Sequence, residues 1–219
     1  AGPRMASAGQ FEIWVQGKGG HGAEPHNCHD AVTCCAAIVN SLQTIVSREY
    51  RPIDAAVCTV GRMDVGTRWN VIADSGYLAG TTRCFDRQVF AEFPERIERI
   101  VKGTCEAYRC TYKTKYTTLT TPTVNHPYMA DIIDGACKKI YGDDDSYKIA
   151  FDPTTGGEDF CFFIDAAPDQ MGAIALVGCG CEAKDTFQAH HSPKFKVDED
   201  ALLNGACLYC QVAADFLNK

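Results

Sequence analysis

The stretch Gly17-Lys18-Gly19-Gly20-His21-Gly22 decides the fold, because it ends one regular segment and presents a histidine. The segment before it, Phe11–Gln16, alternates apolar and polar residues, which predicts a strand with one buried face. Glycine allows positive φ and close backbone approach, so the loop can hold the His21 imidazole on a tight, exposed corner. An ordinary glycine-rich turn with an incidental histidine would have the same pattern. A phosphate-binding loop is excluded, since no Ser or Thr follows the Gly-Lys pair.

The bulk composition is that of an ordinary globular protein of 219 residues, enough for one large or two small domains. Hydrophobic residues make up 46% and charged residues 22% of the chain. The net charge of -7 argues against nucleic acid or an anionic membrane as a partner, since both bind a basic face. No apolar run is long enough to span a membrane and no signal-peptide pattern opens the chain, so we expect a cytoplasmic protein.

The chain contains thirteen cysteines, a high and odd number. They lie within segments that have helix or strand patterns, so we expect them to be reduced and mostly buried. Two pairs, Cys179–Cys181 and Cys207–Cys210, could each form half of a zinc site. Their spacings differ and the second pair lies within a helical pattern, so core positions are the favoured interpretation.

Residues 10–120 show strand and helix patterns in the order β-α-β-β-α-β. After the first strand, apolar residues recur at the helical period from Asp30, which suits the N-cap of a helix. The last strand pattern, at 112–119, is rich in Thr and Tyr. This order is typical of the ferredoxin-like split βαβ unit, which we expect as a domain over residues 10–120.

The pattern changes after a proline-containing break at 121–127. Residues 121–219 combine two long helix patterns with short predicted strands near 148–151 and 173–177. These strands are too few for a complete sheet with helices on both faces. We therefore expect an α+β chain in which residues 121–219 form only part of an α/β domain.

Three groups of side chains are candidates for chemistry. His191, in His190-His191-Ser192-Pro193, is a candidate metal ligand because neutral imidazole binds zinc-like ions, although such pairs are also common on surfaces. Glu158 is a candidate carboxylate, or it simply begins a helix, where the dipole favours acids. Arg83, on the strand pattern at 77–85, must pair with a carboxylate of the protein or of a substrate.

Six motifs in order give a resemblance to a known family. They are the His21 stretch continued through Asp30, then Leu42–Arg48, Asn70–Ile72, Gly80–Arg83, Gly157–Phe160 and His191–Pro193. The series resembles the M20 metallopeptidase family, in its aminoacylase, hippurate hydrolase and auxin-conjugate hydrolase branch. The resemblance covers nearly the whole chain but only the second half of a family member. It implies a complete lid domain at 10–120 that mediates dimerisation, followed by the C-terminal part of a zinc-peptidase-like catalytic domain at 121–219.

The resemblance also implies roles for five residues. His21 resembles the lid histidine that reaches into the partner subunit's active site and stabilises the tetrahedral oxyanion. Asn70 and Arg83 resemble lid residues that hold the substrate carboxylate and nearby polar groups. His191 resembles the one metal ligand that the C-terminal segment supplies, and Glu158 lies in the loop close to that site.

The implied activity is that of a metal-dependent amidohydrolase acting on N-acyl amino acids or related small amides. The family uses two divalent metal ions per active site (zinc, manganese, cobalt or nickel) and forms a homodimer through the lid. One ligand histidine cannot hold a catalytic metal, which ordinarily takes three or more protein ligands, so we expect this chain alone to be inactive. The alternative is a non-catalytic lid and dimerisation module that associates with itself or with a separate N-terminal chain.

Overall fold

The computed structural model describes residues 1–144, 147–149 and 151–218. The chain divides into two units. The larger contains Pro3–Val124 and Pro153–Asp165, and the smaller contains Ala1–Gly2, Asn125–Asp152 and Ala166–Lys219. The division differs from the boundary predicted at residue 121, because residues 153–165 belong with the N-terminal part of the chain.

The larger unit is built on a four-stranded antiparallel sheet with two helices packed on one face. The strand order is β4-β6-β2-β7, and β1 pairs with β8 and β3 with β5 in two small sheets. The elements of this unit, with the residues that bound them, are β1 (Gly2–Met5), β2 (Ala8–Gln16), β3 (Gly20–His21), α1 (Ala31–Thr44), β4 (Ala56–Val65), β5 (Val71–Ile72), β6 (Ser75–Cys84), α2 (Arg87–Ala107), β7 (Thr111–Thr120) and β8 (Thr123–Asn125).

The central strand β2 has the alternation that the sequence predicts. Phe11, Ile13 and Val15 are at most 2% exposed, and they pack against the apolar faces of α1 and α2. Helix α1 begins after Asp30, whose carboxylate accepts a hydrogen bond from the Val32 N–H at 2.9 Å. The predicted cap therefore fixes the start of α1 through one of the amides that a helix leaves unpaired.

Residues 153–165 are attached to the larger unit at both ends of the segment. The Ala6 N–H lies 3.0 Å from the Thr154 carbonyl, and the Thr154 N–H lies 3.0 Å from the Arg4 carbonyl. The penultimate residue of helix α4 (Cys161–Ala166) is Asp165, whose carboxylate pairs with Arg87 and accepts a hydrogen bond from Thr121 at 2.6 Å. These contacts explain why the segment belongs with residues that precede it by 44 or more positions.

The smaller unit contains α3 (Pro127–Tyr141) and α5 (Asp200–Leu217), which pack against each other. The predicted strand at 173–177 is wrong: Ile174 exchanges two hydrogen bonds, of 2.8 and 2.9 Å, with the Asn125 side chain rather than with a strand. The predicted strand at 148–151 includes Ala150, which lies outside the described residues. Among the helices of the described residues, none has both the length and the apolar character needed to cross a bilayer.

All thirteen cysteines are free thiols, as predicted. Eight of them are buried, but Cys207 and Cys210 are exposed, so the prediction of core positions is wrong for this pair. The reason is that α5 packs against α3 without fully burying any residue of its own.

Candidate active site

The short ribbon of β3 and β5 brings His21 next to Asn70. His21 pairs with Val71 across the ribbon, and the Gly22 N–H donates to the Asn70 carbonyl at 2.9 Å. A side chain at Gly22 would place its Cβ only 2.9 Å from that carbonyl oxygen, so the close approach requires glycine. The glycine-rich stretch therefore acts as the sequence predicts: it lets a second backbone segment lie against the histidine loop.

The contacts of His21 determine which ring nitrogen carries a proton. Its Nδ1 lies 3.1 Å from the Ala23 backbone N–H, and a backbone amide can only donate. Nδ1 must therefore be the acceptor, and the neutral ring carries its hydrogen on Nε2. Because the side chain is exposed, Nε2–H is a hydrogen-bond donor that a ligand can reach. A donor of this kind, held in a fixed position, suits charge that develops on an oxygen atom.

Arg83 lies near the other end of β6, half-buried beside Gly157. A Cβ built on Gly157 would lie 3.3 Å from Nη1 of Arg83 and 2.8 Å from Oγ1 of Thr120. No carboxylate of the described residues forms an ion pair with Arg83. The sequence allows two kinds of partner for Arg83, a carboxylate of the protein or a carboxylate of a substrate. The first is not found among the described residues, so the Arg83 guanidinium is available to bind a ligand.

Glu158 has the geometry of a residue that begins a helix. Its Oε1 accepts a hydrogen bond from the Phe160 N–H at 3.3 Å, and its carbonyl accepts one from the Cys161 N–H at 3.4 Å. Helix α4 begins at Cys161. Beginning a helix is the structural alternative to a catalytic role for Glu158. The side chain makes this backbone contact independently of any proton transfer.

The five candidate residues fall into three places. His21 and Asn70 share the ribbon, close to the Gln16–Ser75 end of the central sheet, where the Gly17 N–H bonds the Asp74 carbonyl at 2.7 Å. Arg83 lies at the opposite end of β6, close to the Gly157–Glu158 segment. Asn70 and Arg83 are thus separated along the sheet, whereas the resemblance groups them as neighbours on the substrate.

His191 belongs to the smaller unit, where it is exposed in a turn with a φ of 62°. This left-handed conformation is uncommon for a residue with a side chain. The neighbouring His190 ring packs edge-on against Phe195, with centroids 5.2 Å apart. Within residues 1–144, 147–149 and 151–218, no group of three or more His, Cys, Asp or Glu residues could hold a metal ion. The described residues therefore do not form a metal site by themselves, either around His191 or at the two cysteine pairs.

Sequence reasoning missed the apolar residues around the ribbon. Val71 is 44% exposed, and its side chain lies on the same face as that of His21, because directly opposite residues of an antiparallel pair share a face. Trp69, next to Asn70, is 97% exposed. A cleft of about 790 Å³ adjoins the ribbon and is lined by Trp14, Gly20, Val71, Asp74 and Tyr77 among others. The only indication in the sequence was that Trp69 and Val71 are the immediate neighbours of Asn70.

Comparison with known proteins gives the family. The chain matches the peptidase family M20/M25/M40 over residues 2–215. It is 38% identical over 202 residues to the YhaA protein of Bacillus subtilis (strain 168), covering 92% of this chain and 50% of that one. It is 32% identical over 223 residues to the IAA-amino acid hydrolase ILR1-like 2 of Arabidopsis thaliana, covering 100% of this chain and 49% of the relative.

The same relationship holds for solved structures. The crystal structure of the Bacillus subtilis YXEP protein, a dinuclear metal-binding peptidase of the M20 family, superposes with a TM-score of 0.76 at 25% identity. The match covers 99% of this chain and 52% of that protein. The chain thus spans about half the length of the relatives it matches, in agreement with the predicted resemblance to one half of a family member.

Proposed function

Because the chain belongs to the peptidase family M20/M25/M40, we propose that it is part of a metal-dependent amidohydrolase that cleaves the amide bond of N-acyl amino acids. The observation that carries this proposal is Arg83, a half-buried guanidinium that has no carboxylate partner among the described residues. Its planar donor fork matches the free carboxylate of an amino acid, which would be held by two parallel hydrogen bonds. The name of the Arabidopsis relative, a hydrolase of amino acid conjugates, supports the same substrate class.

We also propose that residues 10–120 form a ferredoxin-like lid and dimerisation domain, and the structure of the larger unit supports this. Its strand order, with one helix after β2 and another after β6, is what that architecture requires. Residues 121–219 would then belong to the C-terminal part of the catalytic domain, apart from the segment 153–165 that packs with the lid.

The dimer would form through the edge strand β4. The other edge strand, β7, carries Lys113 and Lys115, and lysines on an edge oppose strand pairing. On β4 the charged residues Arg62 and Asp64 neutralise each other at 2.6 Å. A two-fold contact between two β4 strands would satisfy the open backbone groups of both copies.

Each candidate residue then has one task in the reaction. Arg83 binds the substrate carboxylate, and Asn70 contacts polar groups near the scissile bond. His21 donates its Nε2–H to the oxygen on which negative charge develops, a contribution of about 3 to 4 kcal/mol for comparable donors. Glu158 remains a candidate for proton transfer. His191 would supply one ligand to the metal centre (zinc, manganese, cobalt or nickel), and further ligands would come from the rest of the full-length protein, since the described residues contain no group of three or more ligands.

The experiment that tests the proposal compares this chain with the full-length protein. Both are assayed for metal content and for hydrolysis of N-acyl amino acids. We expect turnover and tightly bound metal in the full-length protein, and neither in the 219-residue chain, because the described residues form no metal site. Turnover by the isolated chain would contradict the ligand argument. A full-length protein without hydrolase activity would favour the alternative, a non-catalytic module that associates with itself or with a separate chain.

A further inference from the structure

The connection between β4 and β6 carries an exposed tryptophan in a fixed position. The Val71 N–H donates to the Arg68 carbonyl at 3.4 Å, and the Asn70 carbonyl accepts a hydrogen bond from the Gly22 N–H at 2.9 Å. Trp69 lies between these anchored residues and is nevertheless 97% exposed. An indole held in this way suits the anchor of a protein interface, because it covers a large apolar area and its backbone is already ordered.

The other end of the same sheet carries an apolar pocket. The cavity, of about 370 Å³, lies where β4 begins and β6 ends, and we call it the Ile53 pocket. Its apolar lining residues are Pro3, Ile53, Ala55, Phe85, Val89 and Pro153. Ile53 itself is 80% exposed. A cavity of this size can admit an aromatic side chain.

The two polar residues of the Ile53 pocket are acidic, and both already have partners within the chain. Asp86 accepts hydrogen bonds from the Gln88 and Val89 N–H groups at 2.8 and 3.0 Å, and Asp54 pairs with Arg51 at 2.7 Å. Each carboxylate has further lone pairs, and the N–H of a tryptophan needs one acceptor. An apolar lining with carboxylate oxygens beside it therefore suits an indole.

A two-fold contact through the edge strand β4 brings the tryptophan and the pocket together. Hydrogen-bonded pairing of two identical edge strands about a two-fold axis is antiparallel, because a parallel arrangement in register would set N–H against N–H. Val65, the last residue of β4, lies at the ribbon end of the sheet, and Ala56, the first, lies at the end that carries Arg83. Trp69 follows Val65 by four positions and Ile53 precedes Ala56 by three, so a pairing centred on β4 sets Trp69 level with Ile53 of the other copy.

We propose that Trp69 of each copy occupies the Ile53 pocket of the other, so that two identical aromatic contacts hold the dimer. The inference rests on the dimer of the proposed function. The contact removes apolar area of both copies from water. It also brings the histidine loop of one copy to the end of the sheet that carries Arg83 in the other.

The test uses the 219-residue chain, whose only two tryptophans are Trp14 and Trp69. In a Trp14→Phe background, the fluorescence of Trp69 is followed while dilution dissociates the dimer, with sedimentation as the measure of mass. We expect emission that is blue-shifted and protected from acrylamide in the dimer, and that becomes typical of an exposed indole in the monomer. Trp69→Ala, measured by sedimentation, should raise the Kd of the dimer by about a hundredfold or more, because each dimer loses two anchors. Trp69→Phe should recover part of this loss.

Two further variants separate the pocket from a general effect. Ile53→Ala should weaken the dimer less than Trp69→Ala, and the double variant should be no weaker than Trp69→Ala alone, since the two side chains share one contact. Leu119→Ala removes another exposed apolar side chain, on β7, and is the matched control that should leave Kd unchanged.

A dimer in which Trp69 stays exposed, or an unchanged Kd for Trp69→Ala, would overturn the inference and leave both the β4 dimer and the hydrolase proposal intact. A chain that remains monomeric at every concentration would overturn the inference together with the proposed dimer. The hydrolase proposal is tested separately, by the activity of the full-length protein.

Discussion

His21 and Arg83 lie at opposite ends of the central sheet. His21 is on the ribbon that adjoins the first residue of β6, Ser75, and Arg83 is the penultimate residue of the same strand. Arg83 lies eight positions along the extended strand from Ser75, a distance of about 26 Å. This span exceeds the length of a small amide substrate. If both residues act on one substrate molecule, they must therefore come from two copies of the chain.

A mixing experiment tests this arrangement directly in the full-length protein. His21→Ala alone should lower kcat by about a hundredfold or more with little change in KM, because the donor acts on transition-state charge. Arg83→Ala alone should also impair activity. In a mixed dimer one site would have both residues intact, and about a quarter of the wild-type activity should return for random pairing. Mixed dimers that form but show no recovery would mean that the two residues do not come from different copies.

The proposed dimer interface can be tested at the two edge strands. Val57 on β4 is 39% exposed and Leu119 on β7 is 49% exposed. Val57→Lys should convert the dimer to a monomer at micromolar concentration in light scattering, because a lysine on an edge strand opposes pairing. Leu119→Lys is the matched control on the other edge and should leave the dimer intact. The opposite result would assign the interface to β7.

Arg83 has no ion-pair partner among the described residues, which predicts that activity depends on the substrate carboxylate. Arg83→Ala should raise KM for an N-acyl amino acid by about ten- to a thousandfold, since a charge-assisted bidentate contact is lost. The variant and the wild type should differ little on the corresponding amide, whose carboxylate is already absent. Arg83→Lys is the control for charge without the planar fork and should recover only part of the loss. Equal effects on acid and amide would show that Arg83 does not bind this group.

Gly157 controls the space beside that guanidinium. A Cβ there would lie 2.8 Å from Thr120 Oγ1 and 3.3 Å from Arg83 Nη1, so Gly157→Ala should displace one or both side chains. We expect a cost of about 1 kcal/mol in the free energy of unfolding and an increase in KM. Gly103→Ala in α2 meets nothing within 4 Å and should instead stabilise by about 0.5 to 1 kcal/mol, as alanine does in a helix. An unchanged KM in Gly157→Ala would mean that displacing these side chains does not impair substrate binding by Arg83.

Glu49 predicts a pH dependence of stability. Its carboxylate contacts Arg96 at 2.7 Å and Arg99 at 2.6 Å. Burial alone would raise its pKa, but the two guanidinium groups outweigh burial and lower the pKa. Because the pKa of Glu49 is lower in the folded state, its carboxylate contributes fully to the free energy of unfolding above the unfolded-state pKa of about 4.3. This contribution is lost as the pH falls further.

Glu49→Gln should therefore lower the free energy of unfolding by about 1 kcal/mol at pH 7 and by much less near pH 3. Urea titrations at pH 7, 5 and 3 measure both values. Glu95→Gln is the control: Glu95 is exposed on α2 and forms no ion pair with the described residues. A difference between Glu49→Gln and the wild type that persists unchanged at pH 3 would contradict the assignment to the carboxylate charge.

Local features of this protein could be predicted from the sequence. The alternation of Phe11, Ile13 and Val15 predicts β2 because the side-chain period of a strand is two, and Asp30 predicts the start of α1 because its carboxylate can bind a free backbone amide. The motifs also led to the correct family. Each of these inferences depends on residues that are neighbours in the sequence, where the spacing alone fixes the geometry.

Other features depend on contacts between distant residues, and these only the tertiary structure decided. An apolar pattern at 173–177 predicts a strand, but a strand exists only with a paired neighbour, and Ile174 bonds to the Asn125 side chain instead. The motifs group Asn70 with Arg83, whereas the length of β6 separates them. The exposed position of Trp69 beside His21 follows from the pairing of two short strands. The order of residues along the chain thus determines which groups are available for chemistry, and the register of the strands determines which of them can meet one substrate.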